Sequence, residues 1–271
     1  MHPDLPESLR PDRSEAMTPV GAALQAELAP GVTFACLVGA AQQSRQLTTG
    51  LATFAPGASL PCHTHPFGES ITLLQGDVVV EVEGRGYELD PLDNVVVPRA
   101  TAHAVRNASA AAPALLHVAL ASHQPTRTLV DMPRSPAGRI GAERINRMAA
   151  APRFAAGPNT EFVDCFNESL LPGFEMSGGY ALFQPGGRLP AHLHDFDESI
   201  CIVAGVATCL VEGRRYTLSD ATTAFVPRGR VHFFINESAA PMAMLWVYAG
   251  PRPERIVVDE AWATRPGGPW Q

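Results

Sequence analysis

"LPCHTHPFGES", residues 60–70, sets two histidines one residue apart, with a glutamate four residues beyond the second. "LPAHLHDFDES", residues 189–199, repeats the same three residues at the same spacing. The separations agree: 192 − 63, 194 − 65 and 198 − 69 are each 129. The same offset carries Gly57 to Gly186, Gly76 to Gly205, Pro98 to Pro227, His103 to His232 and Asn107 to Asn236. Aligned without a gap, 54–107 and 183–236 share about 23 identities in 54 positions, so the chain is one unit written twice.

Around these positions the chain runs in short apolar stretches cut by Gly, Pro and Asp. "SITLLQG", "DVVVEVEG" and "NVVVPR" in the first copy become "SICIVAG", "ATCLVEG" and "TAFVPR" in the second. Runs of about four to eight residues rich in Val and Ile, with regular turn signals, predict an all-β sandwich or barrel. The organisation implied is an N-terminal arm (1–30), a first barrel (31–125), a linker (126–155), a second barrel (156–258) and a C-terminal tail (259–271). Only "SPAGRIGAERINRMAA" (135–150) reads as a helix, so a short helical linker is expected. The arm is expected to pack across the barrels or a neighbouring subunit, and the tail to be loose.

Alternate residues of a strand share a face, so His63 and His65 project to one side, as do His192 and His194. "PFG" and "DFD" then let the chain turn, and Glu69 or Glu198 enters from the next strand. Imidazole and carboxylate donors converging in a β pocket make a site for Fe(II), Mn(II), Ni(II), Cu(II) or Zn(II), and spacing alone does not choose among them. His103 in "PRATAHAVRN" and His232 in "PRGRVHFFIN" offer a further donor in each half.

In this order the two motifs resemble the signatures of the cupin superfamily. The first copy reads Gly57, His63, His65, Glu69, Gly76, then Pro98, His103, Asn107; the second reads Gly186, His192, His194, Glu198, Gly205, then Pro227, Gly229, His232, Asn236. Departures from the pattern leave the ligands alone: Ala100 replaces one glycine of motif two, and Leu92 and Ala221 stand at its leading glycine. The resemblance implies two tandem cupin barrels of the double-stranded β-helix, or jelly-roll, type. It further implies one divalent transition metal per barrel, with Fe(II) or Mn(II) favoured. His63, His65, Glu69 and His103 would hold one ion, and His192, His194, Glu198 and His232 the other.

Other residues carry weaker readings. Arg99 and Arg228 follow the strand-ending prolines, where a planar fork suits a substrate carboxylate, although such arginines are more often structural ion pairs. Phe67 and Phe196 read as hydrophobic lids on the ligand loops, and Asn107 and Asn236 as turn residues. Cys36 and Cys165 lie 129 apart and read as equivalent core residues. Asp195 and Asp197 stand where the first copy has Pro66 and Gly68. That acidic loop favours the second copy as the catalytic one.

Bulk properties exclude several functions. All twenty basic residues are arginine, so Schiff-base, pyridoxal phosphate and P-loop chemistry are excluded. A net charge of −7 argues against nucleic acid or an anionic membrane as partner. The polar, proline-broken N-terminus is no secretory signal, and the odd cysteine count, without a CxxC pair, fits reduced thiols in a cytoplasmic protein. The expected partner is a small molecule, and the expected assembly a monomer with two dimer-like halves, or a homodimer.

The expected function is a metal-dependent oxygenase, dioxygenase-like, acting on a small oxygenated compound such as a phenolic, a diketone or a hydroxy acid, with Glu69 or Glu198 also able to act as a base. The alternative is non-redox chemistry at the same centre, by a decarboxylase, other lyase, isomerase or hydrolase. A ligand-binding cupin without catalysis ranks third.

Overall fold

The computed structural model of the chain describes residues 5–133 and 141–270. Among these residues the strands form two seven-stranded and two five-stranded antiparallel sheets. One sheet of each size closes around each half of the chain, giving two jelly-roll barrels. The first barrel's core includes Phe54, Ile71, Leu73, Val80, Val95, Val97 and Leu116. The second is filled by Phe162, Phe183, Ile200, Ile202, Phe234, Met244 and Trp246.

Unbroken apolar runs mark strands covered on both faces. In Met242–Tyr248 every residue is buried. Met242, Met244, Trp246 and Tyr248 point into the second barrel, while Ala243, Leu245 and Val247 point at the first. In Asn94–Val97, Val95 and Val97 face the first barrel's interior and Val96 joins the same inter-barrel layer. The barrels are therefore packed sheet against sheet through a largely apolar seam, which also buries His117 and a Thr49–Ser199 hydrogen bond.

The repeat is longer than its motifs. Ala16–Thr18, in the arm, pairs with Thr223–Val226 of the second barrel, and Arg144–Asn146, in the linker, pairs with Asn94–Val97 of the first. Each repeat thus lends its first short strand to the other's barrel. The exchange carries matched anchors. Glu15 meets Arg214 and Tyr216, while Glu143 meets Arg85 and Tyr87. The arm is consequently part of both sheets, because Leu24–Ala29 also pairs with Val32–Val38 of the first barrel.

Several expectations need correction. Of the helix expected at 135–150, residues 135–140 lie outside the described residues, and the remainder holds the strand Arg144–Asn146 and a 3-10 turn, Met148–Ala150. Pairing with the first barrel's sheet overrides its helix-forming composition. The tail is packed rather than loose: Ala263 is fully buried, and Trp270 Nε1 donates to Gly229 O at 3.2 Å. Cys36 pairs with Gly50, whereas Gly179, the counterpart of Gly50, pairs with Asp164. Cys36 is therefore equivalent to Asp164 rather than to Cys165. No helix among the described residues is long and apolar enough to cross a membrane.

Candidate metal centres

Each ligand set is assembled by both sheets of its barrel. His63 lies on Ser59–Thr64 and faces His103, the first residue of His103–Asn107, across the ladder. Glu69 opens the strand Glu69–Gln75 of the opposing sheet. His192, His232 and Glu198 repeat the arrangement. Potential ligand atoms of His63, His65, Glu69 and His103 lie within 4.8 Å of one another, as do those of His192, His194, Glu198 and His232. All eight residues are buried.

The ring nitrogens are oriented by the backbone. His63 Nδ1 donates to Pro61 O (2.7 Å), His65 Nδ1 to Thr126 O (2.6 Å) and His103 Nδ1 to Thr101 O (2.9 Å). In the second centre the acceptors are Pro190 O, Glu254 O and Arg230 O. A carbonyl can only accept, so each neutral ring carries its hydrogen on Nδ1 and turns the Nε2 lone pair toward the centre.

That tautomer leaves acceptors facing acceptors. His103 Nε2 sits 2.7 Å from Glu69 Oε2, and His232 Nε2 sits 2.8 Å from Glu198 Oε2. Burial pushes both glutamates toward protonation, yet the facing histidines hold Glu69 and Glu198 well below the ordinary carboxylate range. Burial, reinforced by His103, pushes His63 down to about 4, and His192 is likewise held far down by burial and its neighbouring histidine. His194 Nε2 is buried with no hydrogen-bond partner. Converging lone pairs around an ionised carboxylate call for a cation. Three nitrogens and one oxygen suit a divalent transition metal and leave room for substrate oxygens. The sites therefore fit the ion.

The two centres differ beyond their ligands. The first opens on a cavity of about 200 Å³ lined by His63, His65 and Glu69, with apolar walls that include Phe34, Phe54, Val118 and Leu120. Leu120 lies opposite Glu69 in the ladder, as Tyr248 lies opposite Glu198. Val118 and Leu120 are thus replaced by Trp246 and Tyr248 in the second barrel. The Tyr248 ring packs 4.3 Å from His194 and 4.8 Å from Trp246, which stacks 5.6 Å from Phe162. Aromatic rings fill what aliphatic side chains leave open.

Phe67 and Phe196 stack 5.0 Å from His65 and His194, as lids do. Asn107 is more than a turn residue: its Nδ2 donates to Phe54 O, Ala55 O and Ala112 O, tying separate segments together. The structure does not bring Arg99 or Arg228 into either cluster. Arg99 pairs with Glu175, and Arg228 with Asp195. The acidic loop offers no free proton-transfer group either, since Asp197 is buried against Arg13. The proton-transfer group expected of the acidic loop is thus engaged elsewhere, and a cavity opens on the first centre.

Motif reading missed Arg127, which lines that cavity. Leu129 pairs with His63 as Val257 pairs with His192, so Arg127 is the counterpart of Arg255. The signal was present in "TRTLV" (126–130) and "ERIVV" (254–258). It lay beyond a one-residue gap, where "ASAAAP" (108–113) faces "ESAAP" (237–241).

The cupin domain family model matches residues 50–120 and 179–248. The barrels also resemble solved structures. Oxalate decarboxylase from Bacillus subtilis at pH 4.6 is 13% identical, with a TM-score of 0.72 over 93% of this chain and 80% of that one. A formate complex of Lactobacillus farciminis oxalate decarboxylase is 16% identical, with a TM-score of 0.74 over 96% and 94%. A further Bacillus subtilis oxalate decarboxylase structure, described for its Mn(II) centres, is 14% identical, with a TM-score of 0.72 over 93% and 81%. At such identities the likeness speaks for the fold. No curated protein sequence matches the chain. With both repeats matched over half its length and two complete ligand sets in its barrels, the chain belongs to the cupin family, as a bicupin.

Proposed function

We propose that the protein is a metal-dependent enzyme whose reaction takes place in the first barrel, and that the reaction is non-redox cleavage of a small carboxylate, decarboxylation first. The cavity of about 200 Å³ beside His63, His65 and Glu69 carries this reading. Likeness to oxalate decarboxylases supports the reaction class over the oxygenase expected from sequence alone.

The walls argue for a different substrate from oxalate. Phe34, Phe54, Leu60, Ile71, Val105, Leu116, Val118 and Leu120 present hydrocarbon, which suits a carboxylate with an apolar body. Arg127 stands among the lining residues, and no carboxylate pairs with it among the described residues. Its guanidinium donates to Leu28 O and keeps further N–H groups for an anion. A bound divalent ion would polarise a substrate oxygen and draw electron density from the bond to be broken. Glu69, held ionised, would serve as a ligand to the ion rather than as an acid, so the proton that takes the place of the released CO₂ on the product carbon comes from solvent water.

A second reading, oxygenation at the same centre, is favoured by one feature. Outside the ligands the cavity lining offers only Arg127 and Thr126 as polar side chains, and neither is a ready acid at neutral pH. The deciding experiment uses protein loaded with Mn(II) or Fe(II) and a panel of 2-oxo and 3-oxo carboxylates with hydrocarbon bodies. CO₂ release without O₂ supports decarboxylation. O₂ uptake matching turnover transfers the assignment to the oxygenase, and inactivity across the panel with both metals removes the substrate class proposed.

A further inference from the structure

The second centre is tied to the N-terminal arm by a contact that the first lacks. Arg13 is buried, at 7% exposure, and its guanidinium grips Asp197 with both oxygens engaged: NH1 to Oδ2 and NH2 to Oδ1, each at 2.8 Å. The backbone N–H of Arg45 donates to Oδ2 at 3.1 Å, and that of Arg228 to Oδ1 at 3.2 Å. Arg13 NH1 also donates to Gln43 O, while Arg230 clasps Arg13 O with two donors. One carboxylate therefore collects donors from the arm, from the loop after Val32–Val38 and from the second barrel itself.

Asp197 directly precedes the ligand Glu198 and lies three residues after the ligand His194. For an ion to leave, those two ligands must part, and the segment joining them must move. Asp197 resists that movement, because displacing it would take the acceptor from four donors at once, two of them on a buried guanidinium that would keep only Asp12 and Gln43 O. The first repeat has neither partner. Gly68 stands in place of Asp197, and Gly141 precedes Glu143 as Arg13 precedes Glu15. Phe174 presses on the Gly68 loop instead: a Cβ built at Gly68 would lie 2.4 Å from its ring.

We propose that Arg13 is a positioning residue for the second metal centre: acting through Asp197, it makes that centre slow to release its ion. The inference rests on both clusters holding metal. Protein loaded with Mn(II) and challenged with excess chelator should release the ion in a fast and a slow phase, followed by the paramagnetic resonance of Mn(II). His65→Ala should delete the fast phase and His194→Ala the slow one. Arg13→Ala should speed the slow phase at least about tenfold and leave the fast phase alone. Arg13→Lys, a point charge without the fork, should fall between. Arg13→Gly with Asp197→Gly leaves no stranded charge and should bring the slow rate toward the fast one. A slow phase unchanged within twofold in Arg13→Ala and in the double variant overturns the latch, as does equal acceleration of both phases. Fewer than two ions bound to the unaltered protein would instead defeat the metal reading beneath it.

Discussion

The two barrels hold the same four ligands, oriented by the same backbone carbonyls, and still make different sites. In the first, His65 is pushed down by burial, but Glu69 beside it leaves its affinity for protons above the ordinary value. In the second, burial prevails over Glu198 and leaves His194 below it. The surrounding residues account for the divergence. Val118 and Leu120 border a cavity, whereas Trp246 and Tyr248 pack their rings together; Gly68 gives its loop no carboxylate of its own, whereas Asp197 binds its loop to the arm. A ligand set therefore marks where an ion would sit, and the strand opposite the glutamate shapes the space beside it.

The sharpest way to break this contrast is to remove one ligand at a time. His65→Ala should lower turnover more than about a hundredfold, since it dismantles the centre that faces the cavity. His194→Ala should leave turnover within a few fold but lower the melting temperature by about 5 °C or more, because ion binding stabilises the folded state. Equal loss of turnover in both variants would mean that the sites are equivalent.

Filling should matter next. Trp246→Val and Tyr248→Leu give the second barrel the first barrel's residues. Truncating buried aromatics of this size costs about 3–5 kcal/mol in the limit of alanine, and somewhat less here because part of each side chain remains. Chemical denaturation measures that loss. Binding of a small apolar probe should show a second cavity beside His194. If stability falls without new probe binding, the barrel has collapsed around the gap and the filling argument fails.

The seam between the barrels supplies a pH test. His117 is fully buried there, its Nε2 has no partner, and burial pushes its affinity for protons down to about 4. Leu245 holds the equivalent place, since Leu120 and Tyr248 share a register. An unfolded histidine takes up its proton near pH 6.5, and this one takes it near pH 4. Between those values the unfolded chain binds more protons, so stability falls as pH is lowered from 6.5 toward 4, by about 3 kcal/mol in total. His117→Leu should flatten that part of the profile. An unchanged slope in denaturation between pH 7 and pH 4.5 would assign the acid sensitivity to other groups.

How much of this was legible in the sequence follows from how each feature is encoded. The ligands lie in fixed spacing on one strand and its neighbour, so period-two geometry and the 129-residue offset reveal them without coordinates. The jelly roll follows from the same short apolar runs. The exchanged strands did not show, because Arg144–Asn146 is three residues long and carries helix-compatible residues that only sheet pairing overrides. The open and filled barrels did not show either. Their difference lies in Ala114–Leu120 and Met242–Tyr248, past the one-residue gap that ended the alignment. Both strands read simply as apolar.

The smallest effects belong to the arginines that the motifs pointed to. Arg99 is 64% exposed and pairs with Glu175, and Arg228 is 35% exposed and pairs with an Asp195 that is itself 66% exposed. Exposed pairs of this kind are worth about 1 kcal/mol or less, so Arg99→Ala and Arg228→Ala should shift stability by no more than that. Neither should change turnover, since neither guanidinium lines the cavity. Arg127→Ala is the control that gives the comparison its force. It should raise KM for a carboxylate substrate about tenfold or more with a much smaller change in kcat, because it removes an anchor rather than a ligand. Equivalence is informative here: Arg127 and Arg255 occupy matching places, and Arg255 lies over the Phe162 ring, 5.1 Å from its centroid. The same arginine thus packs on an aromatic wall in the filled barrel and faces open space in the other. If Arg99→Ala disturbs KM and Arg127→Ala does not, substrate enters by the motif-two loop, and the path argued from the cavity is wrong.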